Sequence, residues 1–431
     1  MIEAILTISI FIFSYFFLIT EKGNRALVAC AGGSLMLFAG IIDLDMAFFR
    51  YIDWHTIALL FSMMILVSVS SQSGMFEYVA VKAAQIVRGK PISLLIMFSV
   101  LTAVGSAFLN NVTTVLLVAP IIFTLTGILG MNAVPFLIAI VMASNIGGTA
   151  TLIGDPPNLM IGQAVSHLTF NDFLVHLGPP VVLIFIVVMA GLAFYYKGEF
   201  QTNQNNMAQK KLMEINAASY IKNKSVLIKS VFVLLLTVTA FIAQPMLQVE
   251  LTAIAMGGAL LLLFLTHEES NVEEVFKQVE WVTIFFFIGL FMLVGGLEES
   301  GLIEEMARSL IYYTGGDVPQ TSLLILWVSG IVSGFVDNIP FVAAMIPVIL
   351  EFESYGIGNL EPLWWALALG ACLGGNATII GATANVIVAG LAAKANQGFS
   401  YYEFFKVGAP TALVSFLIST IYLYVRYLMF Y

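Results

Sequence analysis

Two aspartates stand in sequence that is otherwise apolar or small. Asp155 closes the string GGTATLIGD at 147–155, and Asp337 lies within SGFVDNIPF at 333–341. An ionisable group at membrane depth costs about 3 kcal/mol on insertion scales. Each acid is therefore a candidate to take up and release Na+ or H+. Around Asp155 the chain reads GGTATLIGDPPN (147–158), and the string GGNATIIGATAN returns at 374–385, with seven of twelve positions identical at an offset of 227. The same offset aligns SAFLNNVTTVLLVAPII (106–122) with SGFVDNIPFVAAMIPVI (333–349) without a gap. It also pairs Trp54 with Trp281, Thr56 with Thr283 and Gly74 with Gly301.

A helix interrupted inside a membrane leaves amides and carbonyls that lipid cannot satisfy, so such a break is kept where it lines protein or a polar cavity. Gly147, Gly148 and Gly154, with Gly374, Gly375 and Gly381, let the backbone leave helical geometry and approach an ion. Thr149, Thr151 and Asn158, with Asn376, Thr378, Thr383 and Asn385, supply short oxygen ligands and donors. Pro156-Pro157 is expected to stop the helix before it restarts near Asn158. Glycine and threonine also serve plain helix packing in membranes, but a string recurring with an Asn four residues beyond its last Gly favours function. The acids do not recur: Asp155 aligns with Ala382, and Asp337 with Asn110. The bland role for Asp155 is a cap on the restarting half-helix, which is compatible with ion coupling. Glu77 and Glu304 align in charged amphipathic stretches and read as interfacial residues, as does the pair Glu298-Glu299.

No His/Cys/carboxylate spacing suggests a metal site beyond Na+, and no nucleophile motif or phosphate-binding loop is present. The expectation is therefore a chain that is not an enzyme and has no cofactor, with Na+ and/or H+ as coupling ions. No basic cluster points to nucleic acid. Cys30 and Cys372 read as packing residues in apolar sequence.

These residues need elements that hold them at depth. Of 431 residues 60% are apolar and 10% charged, against about 25% charged in soluble domains. Apolar stretches of about 20 residues recur, enough to cross a bilayer core of roughly 30 Å. The fold class is an all-α polytopic membrane protein, with the lipid bilayer as its main partner. The first stretch, 2–20, reads as a retained span and not a signal peptide. Further spans are expected near 26–42, 54–73 and 173–196, and near 227–245, 249–266, 281–297 and 405–425. Broken spans cover 135–168 and 362–394. Charged stretches fill 75–90 and 298–318. Two pairs of apolar arms, 91–109 with 112–129 and 320–336 with 339–353, meet at Asn110-Asn111 and Asp337-Asn338. Each pair could be two ordinary spans or a re-entrant hairpin. The tips carry no Lys or Arg, which favours the hairpin.

Without the hairpins each half crosses five times, so the copies run antiparallel: two inverted repeats of five spans, each with one re-entrant hairpin and one broken helix. The domains are then 1–196 (scaffold spans about 1–90, transport elements about 91–196), a linker at 197–226, and 227–431 (scaffold about 227–318, transport elements about 319–431). With the linker in the cytoplasm, 14 of 17 basic residues fall inside, including Lys22, Arg25 and Lys90; Arg50, Arg308 and Arg426 fall outside. Both termini are then extracytoplasmic, in the inner membrane of a prokaryote.

The strings FLNNVTTVLL, SNIGGTATLIGDPPN, FVDNIP and GACLGGNATIIGATANV resemble the ion transporter superfamily. The nearest branch holds arsenite permeases, NhaD-type sodium/proton antiporters and the pigmentation P protein, and P-protein-like bacterial members fit best. The resemblance covers nearly the whole chain. It implies inverted repeats, opposed hairpins, a homodimeric scaffold and a transport domain that slides as an elevator. The site it implies comprises Asn110, Asn111, Thr113, Ser144, Asn145, Thr149 and Thr151, with Asp337, Asn338, Asn376, Thr378 and Asn385. Dicarboxylate-transporting relatives carry Ser-Asn-Thr, whereas here Ser144-Asn145 is followed by Ile146.

The region between hairpins and breaks reads as holding two Asp and no Lys or Arg. That favours a small-ion transporter of the Na+/H+ antiport type, in which both ions compete for Asp155 and Asp337. The alternative is a coupled permease for arsenite or another small inorganic or organic anion, citrate and dicarboxylates included. A passive channel is the remote third reading.

Overall fold

A computed structural model describes residues 2–20, 23–201 and 206–429. Lys22, used above for orientation, and linker residues 202–205 lie outside the described residues. The described residues form helices and no strand. Among the described residues eight helices are long and apolar enough to cross a membrane, including Trp54–Gln72, Pro91–Leu109, Asn111–Leu129, Trp281–Glu299 and Val318–Phe335. Their outward faces carry large apolar side chains, such as Phe194 in the helix beginning at Phe170 and Leu235 in the one beginning at Lys224, as a lipid-facing surface requires.

The 227-residue offset recurs in the helix boundaries. Helices begin at Trp54 and Trp281, Met75 and Leu302, Pro91 and Val318, Asn111 and Asn338, Val134 and Glu361, and Pro156 and Thr383. Local chemistry explains these starts. Asp53 caps the Trp54 helix by accepting from the His55 and Thr56 amides at 3.0 and 3.1 Å. Gly74 and Gly301 take φ of 80° and 73°, which turns the chain sharply into each amphipathic helix. At the first tip Asn110 also has positive φ, 79°, and its side chain accepts from the Val112 amide at 2.9 Å.

Both broken spans are broken. The first runs Val134–Thr149 and resumes at Pro156–Ala164; the second runs Glu361–Gly374 and resumes at Thr383–Lys394. The prolines therefore do not end a helix ahead of a restart near Asn158: Pro156 is the first residue of the new half-helix. Proline suits that position because a first-turn amide has no intrahelical partner.

Each apolar-arm pair packs on the first half of its own broken helix. The contact is backbone to backbone, so the packing role of glycine is also real here. A Cβ at Gly147 would lie 2.2 Å from the Ala103 carbonyl oxygen, and one at Gly374 would lie 2.3 Å from that of Gly330. Ser106 donates to the Ser144 carbonyl at 2.6 Å, and Ser333 to that of Ala371 at 2.5 Å, locking the same crossing twice.

The stretch between the halves is more ordered than a polar linker. The preceding helix continues to Gln201, and Asn206–Glu214 forms another. Leu212 is fully buried, and Gln85 donates to the Leu212 and Ile215 carbonyls at 3.2 and 2.7 Å. Lys222 pairs with Glu77 at 3.5 Å. Of the other interfacial acids, Glu304 pairs with Arg308 at 2.7 Å, and Glu298 and Glu299 share Arg50 at 3.0 Å each.

Gly374→Ala should lower stability by about 1–3 kcal/mol, since the added methyl meets backbone. Gly390→Ala, whose Cβ meets nothing within 4 Å, should be neutral or raise it by up to about 1 kcal/mol. Thermal unfolding of the purified variants in detergent checks both.

Candidate transport site

The two breaks are braced by the same side chains at the same offset. Asn158 donates to the Thr149 and Thr151 carbonyls at 2.9 Å each. Asn385 donates to those of Gly375 and Thr378 at 2.7 and 2.8 Å. The Thr151 hydroxyl donates to the Ala107 carbonyl, and Thr378 to that of Gly334 at 2.7 Å. Thr149 returns its hydroxyl to the Asn145 carbonyl at 2.7 Å, and Ser144 to that of Val141 at 2.8 Å. Gly148 and Gly375 sit where a Cβ would come 2.7 and 2.9 Å from the carbonyl oxygens of Gly154 and Gly381. Much of the polar inventory thus holds the unwound backbone itself.

Asn145 joins the halves. Its Nδ2 donates to Asn376 Oδ1 and Asn385 Oδ1, both at 3.0 Å. Its Oδ1 accepts from Asn111 Nδ2 at 3.3 Å, and the same nitrogen reaches Asp155 Oδ1 at 3.2 Å. The second copy has Cys372 at the position matching Asn145, and its thiol reaches Asn158 Oδ1 at 3.5 Å. One asparagine therefore serves both breaks.

Asp155 is 1% exposed. It occupies the N-cap position of its half-helix, yet its side chain caps nothing. The reason is covalent: the next two residues are prolines without amide hydrogens, and the Asn158 amide already bonds the Asp155 carbonyl at 3.1 Å. Asp155 Oδ2, Asn338 Nδ2 and Asn376 Nδ2 are all buried and none makes a hydrogen bond of normal length, although the side chains of Cys372 and Asn338 approach the Asp155 carboxylate. Unpaired buried polar atoms are rare and costly, so this junction is built for something besides packing.

Asp337 is in a different environment. It caps its helix by accepting from the Ile339 amide at 3.3 Å, and its side chain is 24% exposed. Thr383 donates to its Oδ2 at 2.7 Å, and Arg25 Nη1 lies 3.5 Å from the same oxygen. Arg25 Nη1 also donates to the Thr383 hydroxyl, and Nη2 to the Thr283 hydroxyl at 3.1 Å. Its guanidinium lies 5.3 Å from the centroid of the Phe286 ring. Thr283 in turn donates to Glu280 Oε2 at 3.1 Å, and Thr113 from the first tip reaches Glu280 Oε1 at 3.5 Å.

This corrects the expectation that no Lys or Arg lies between hairpins and breaks. Arg25 opens the second helix after its Asn24 cap, and from sequence it reads as a span-end cation in water. Its long side chain instead reaches into the protein, to a tip 312 residues away. Glu280 was missed as well. The signal was available, because Glu280 precedes Trp281 as Asp53 precedes Trp54. Tyr15 completes the grip on the second tip, donating to the Pro340 carbonyl at 2.6 Å.

A cavity of about 350 Å³ opens beside Arg25, Asp337 and Thr383. A larger groove of about 650 Å³ between Ile8, Phe11, Tyr313 and Val328 is almost wholly apolar, with Glu305 and Ser309 as the polar residues among its lining. The half-helix beginning at Thr383 has Ala382 at its N-cap and no side-chain cap. The Asn385 amide already bonds the Ala382 carbonyl at 3.0 Å, which leaves the amides of Thr383 and Ala384 to meet an anion.

A multi-helix fold with two helix breaks bridged by a buried polar network, and a charged cavity at a tip, is the arrangement of a transporter, and the relatives are named as transporters, not enzymes. The family model described as citrate transporter (CitMHS) matches residues 15–370, and the chain belongs to that family, within the ion transporter superfamily. An uncharacterized transporter of Mycobacterium tuberculosis is 40% identical over 99% of this chain and 100% of its own length. The human P protein is 34% identical over 96% of this chain and 59% of its own length. The crystal structure of the Alcanivorax borkumensis YdaH transporter matches with a TM-score of 0.58 at 12% identity, covering 94% of this chain and 97% of that one. It shares the fold.

Asn145→Ala removes the donor to two asparagines and the acceptor for a third. It should destabilise by roughly 1–3 kcal/mol per orphaned group, read as a lowered unfolding temperature. Ser144→Ala, which loses only a bond to its own helix, should shift it far less.

Proposed function

We propose that this chain is a secondary active transporter for a small organic anion, driven by Na+ or H+ taken up at Asp155. The observation that carries the reading is Arg25, held by Thr383 and Thr283 beside the 350 Å³ cavity. Preference for pure cation exchange rested on the lack of a fixed cation, and Arg25 removes that premise. The two half-helix starts then divide the work. The start at Thr383 offers uncapped amides, a hydroxyl and a nearby guanidinium, which suits a carboxylate. The start at Pro156 offers no amide hydrogens and a buried carboxylate with an oxygen that makes no normal hydrogen bond, which suits a cation. The family description supports an anionic cargo.

In this reading the halves are inverted repeats with opposed re-entrant hairpins. Residues 1–90 and 227–318 form a static, dimeric scaffold, and the hairpins and breaks move past it by an elevator-type displacement. Tyr15, Arg25, Glu280 and Thr283 belong to the scaffold; Thr113, Asp337 and Thr383 belong to the moving part. Displacement parts Arg25 from Asp337 and Thr383, so one end of the cycle offers the anion a guanidinium and the other does not. The linker is cytoplasmic and both termini extracytoplasmic, in the inner membrane of a prokaryote. Placement beside arsenite permeases and NhaD-type antiporters within the superfamily is part of the same reading.

A second reading is Na+/H+ exchange without an anion, favoured by the buried, half-paired Asp155. Proteoliposomes separate the two. Anion uptake driven by an imposed Na+ or H+ gradient should fall roughly 10- to 100-fold in Arg25→Gln, as loss of a charge-assisted hydrogen bond implies. It should lose its gradient dependence in Asp155→Asn. Cation exchange that needs no anion and is untouched by Arg25→Gln would favour the second reading.

A further inference from the structure

We infer that the anion taken at Arg25 is an amphipathic monocarboxylate: one carboxylate on a compact apolar body, not a di- or tricarboxylate. This rests on the anion-transport reading above and names its substrate class. Among the described residues lining the cavity, the polar side chains are Arg25, Asp337 and Thr383, which meet one another. The rest of its wall is Leu18, Phe286, Pro340, Ile380, Val386 and Ile387, with Gly23 at the loop. Arg25 is the one cationic residue among the described residues lining it. A first carboxylate can take the guanidinium, the Thr383 hydroxyl and the free amides of the half-helix. Among the described lining residues a second would meet Asp337 or hydrocarbon, and an unpaired carboxylate there is disfavoured. The volume, about 350 Å³, lies at the small end of ligand pockets, which suits a compact body.

The geometry also assigns Asp337 a part in this selection. Its carboxylate already shares Thr383 and Arg25, so it stands where the substrate's carboxylate binds. Entry of the substrate displaces Asp337 from the guanidinium, while its other oxygen keeps the Ile339 amide. Asp337 is then a resident competitor that keeps weak anions out, and a polyanion meets it with more repulsion than a monoanion does.

The test is ligand binding to the purified full chain, by thermal shift and calorimetry at fixed Na+ and pH. The probes are benzoate, phenylacetate, succinate and citrate, with neutral benzamide as control. The inference expects benzoate and phenylacetate to stabilise the protein, and benzamide, succinate and citrate to give less than a tenth of that response. Arg25→Gln should abolish the response, and Asp337→Asn should tighten benzoate binding at least threefold by removing the competitor. Tightening in Asp337→Asn tests the claim even if Arg25→Gln fails to fold. Citrate or succinate stabilising the protein through Arg25 more strongly than benzoate does would overturn the inference and leave the anion reading standing. A response to no carboxylate in wild type and Asp337→Asn alike would overturn both. Weaker benzoate binding in Asp337→Asn would overturn the competitor role.

Discussion

Every feature of the site depends on one constraint: backbone groups freed by breaking a helix in apolar surroundings must find partners within the protein. The two breaks meet it in the same way. Asn158 and Asn385 reach back to the carbonyls before them. Thr151 and Thr378 tie the unwound segment to the adjoining arm. Ser106 and Ser333 tie that arm to the helix before the break. Glycines at 147, 148, 374 and 375 allow the approach that these bonds need. Without this bracing, the helix ends could not be held at depth for chemistry.

Given two similar cradles, function lies in their differences. Asp155-Pro156-Pro157 is replaced in the second copy by Ala382-Thr383-Ala384, and Asn110 by Asp337. One half-helix start is stripped of amide donors and given a buried acid. The other keeps its donors and adds a hydroxyl. Asn145 faces Cys372 across the pseudo-equivalence, so a single amide bridges both sides. In the proposed reading this divergence separates a buried, cation-seeking acid at Asp155 from an anion-seeking cavity beside Arg25, Asp337 and Thr383.

The helices and the breaks were legible because Pro, Gly and Asn punctuate the apolar runs at the same positions twice. The asparagine network was legible in membership but not in role. Thr149, Thr151, Thr378, Asn158 and Asn385 read as ligands, yet their donors turn inward to the backbone. Asp155 reads as a helix cap until the two prolines after it are counted as missing donors. Arg25 was not legible. A cation at a span end looks solvated, and only the packing of the first two helices against a tip more than 300 residues away brings it to Asp337. Long-range closeness of that kind leaves no local pattern. The docked linker escaped for the same reason, since Leu212 is apolar in a polar stretch and its burial depends on Gln85 and its neighbours.

The claim that matters most is that a guanidinium from the scaffold and a half-helix from the moving part hold the anion together. A structure of the protein solved with a bound carboxylate tests it most directly. The account predicts the carboxylate within hydrogen-bonding distance of both Arg25 and Thr383, with Asp337 displaced from Arg25. Ligand bound instead among Asp155, Asn338 and Asn376, with the Arg25–Asp337 contact intact, would contradict it.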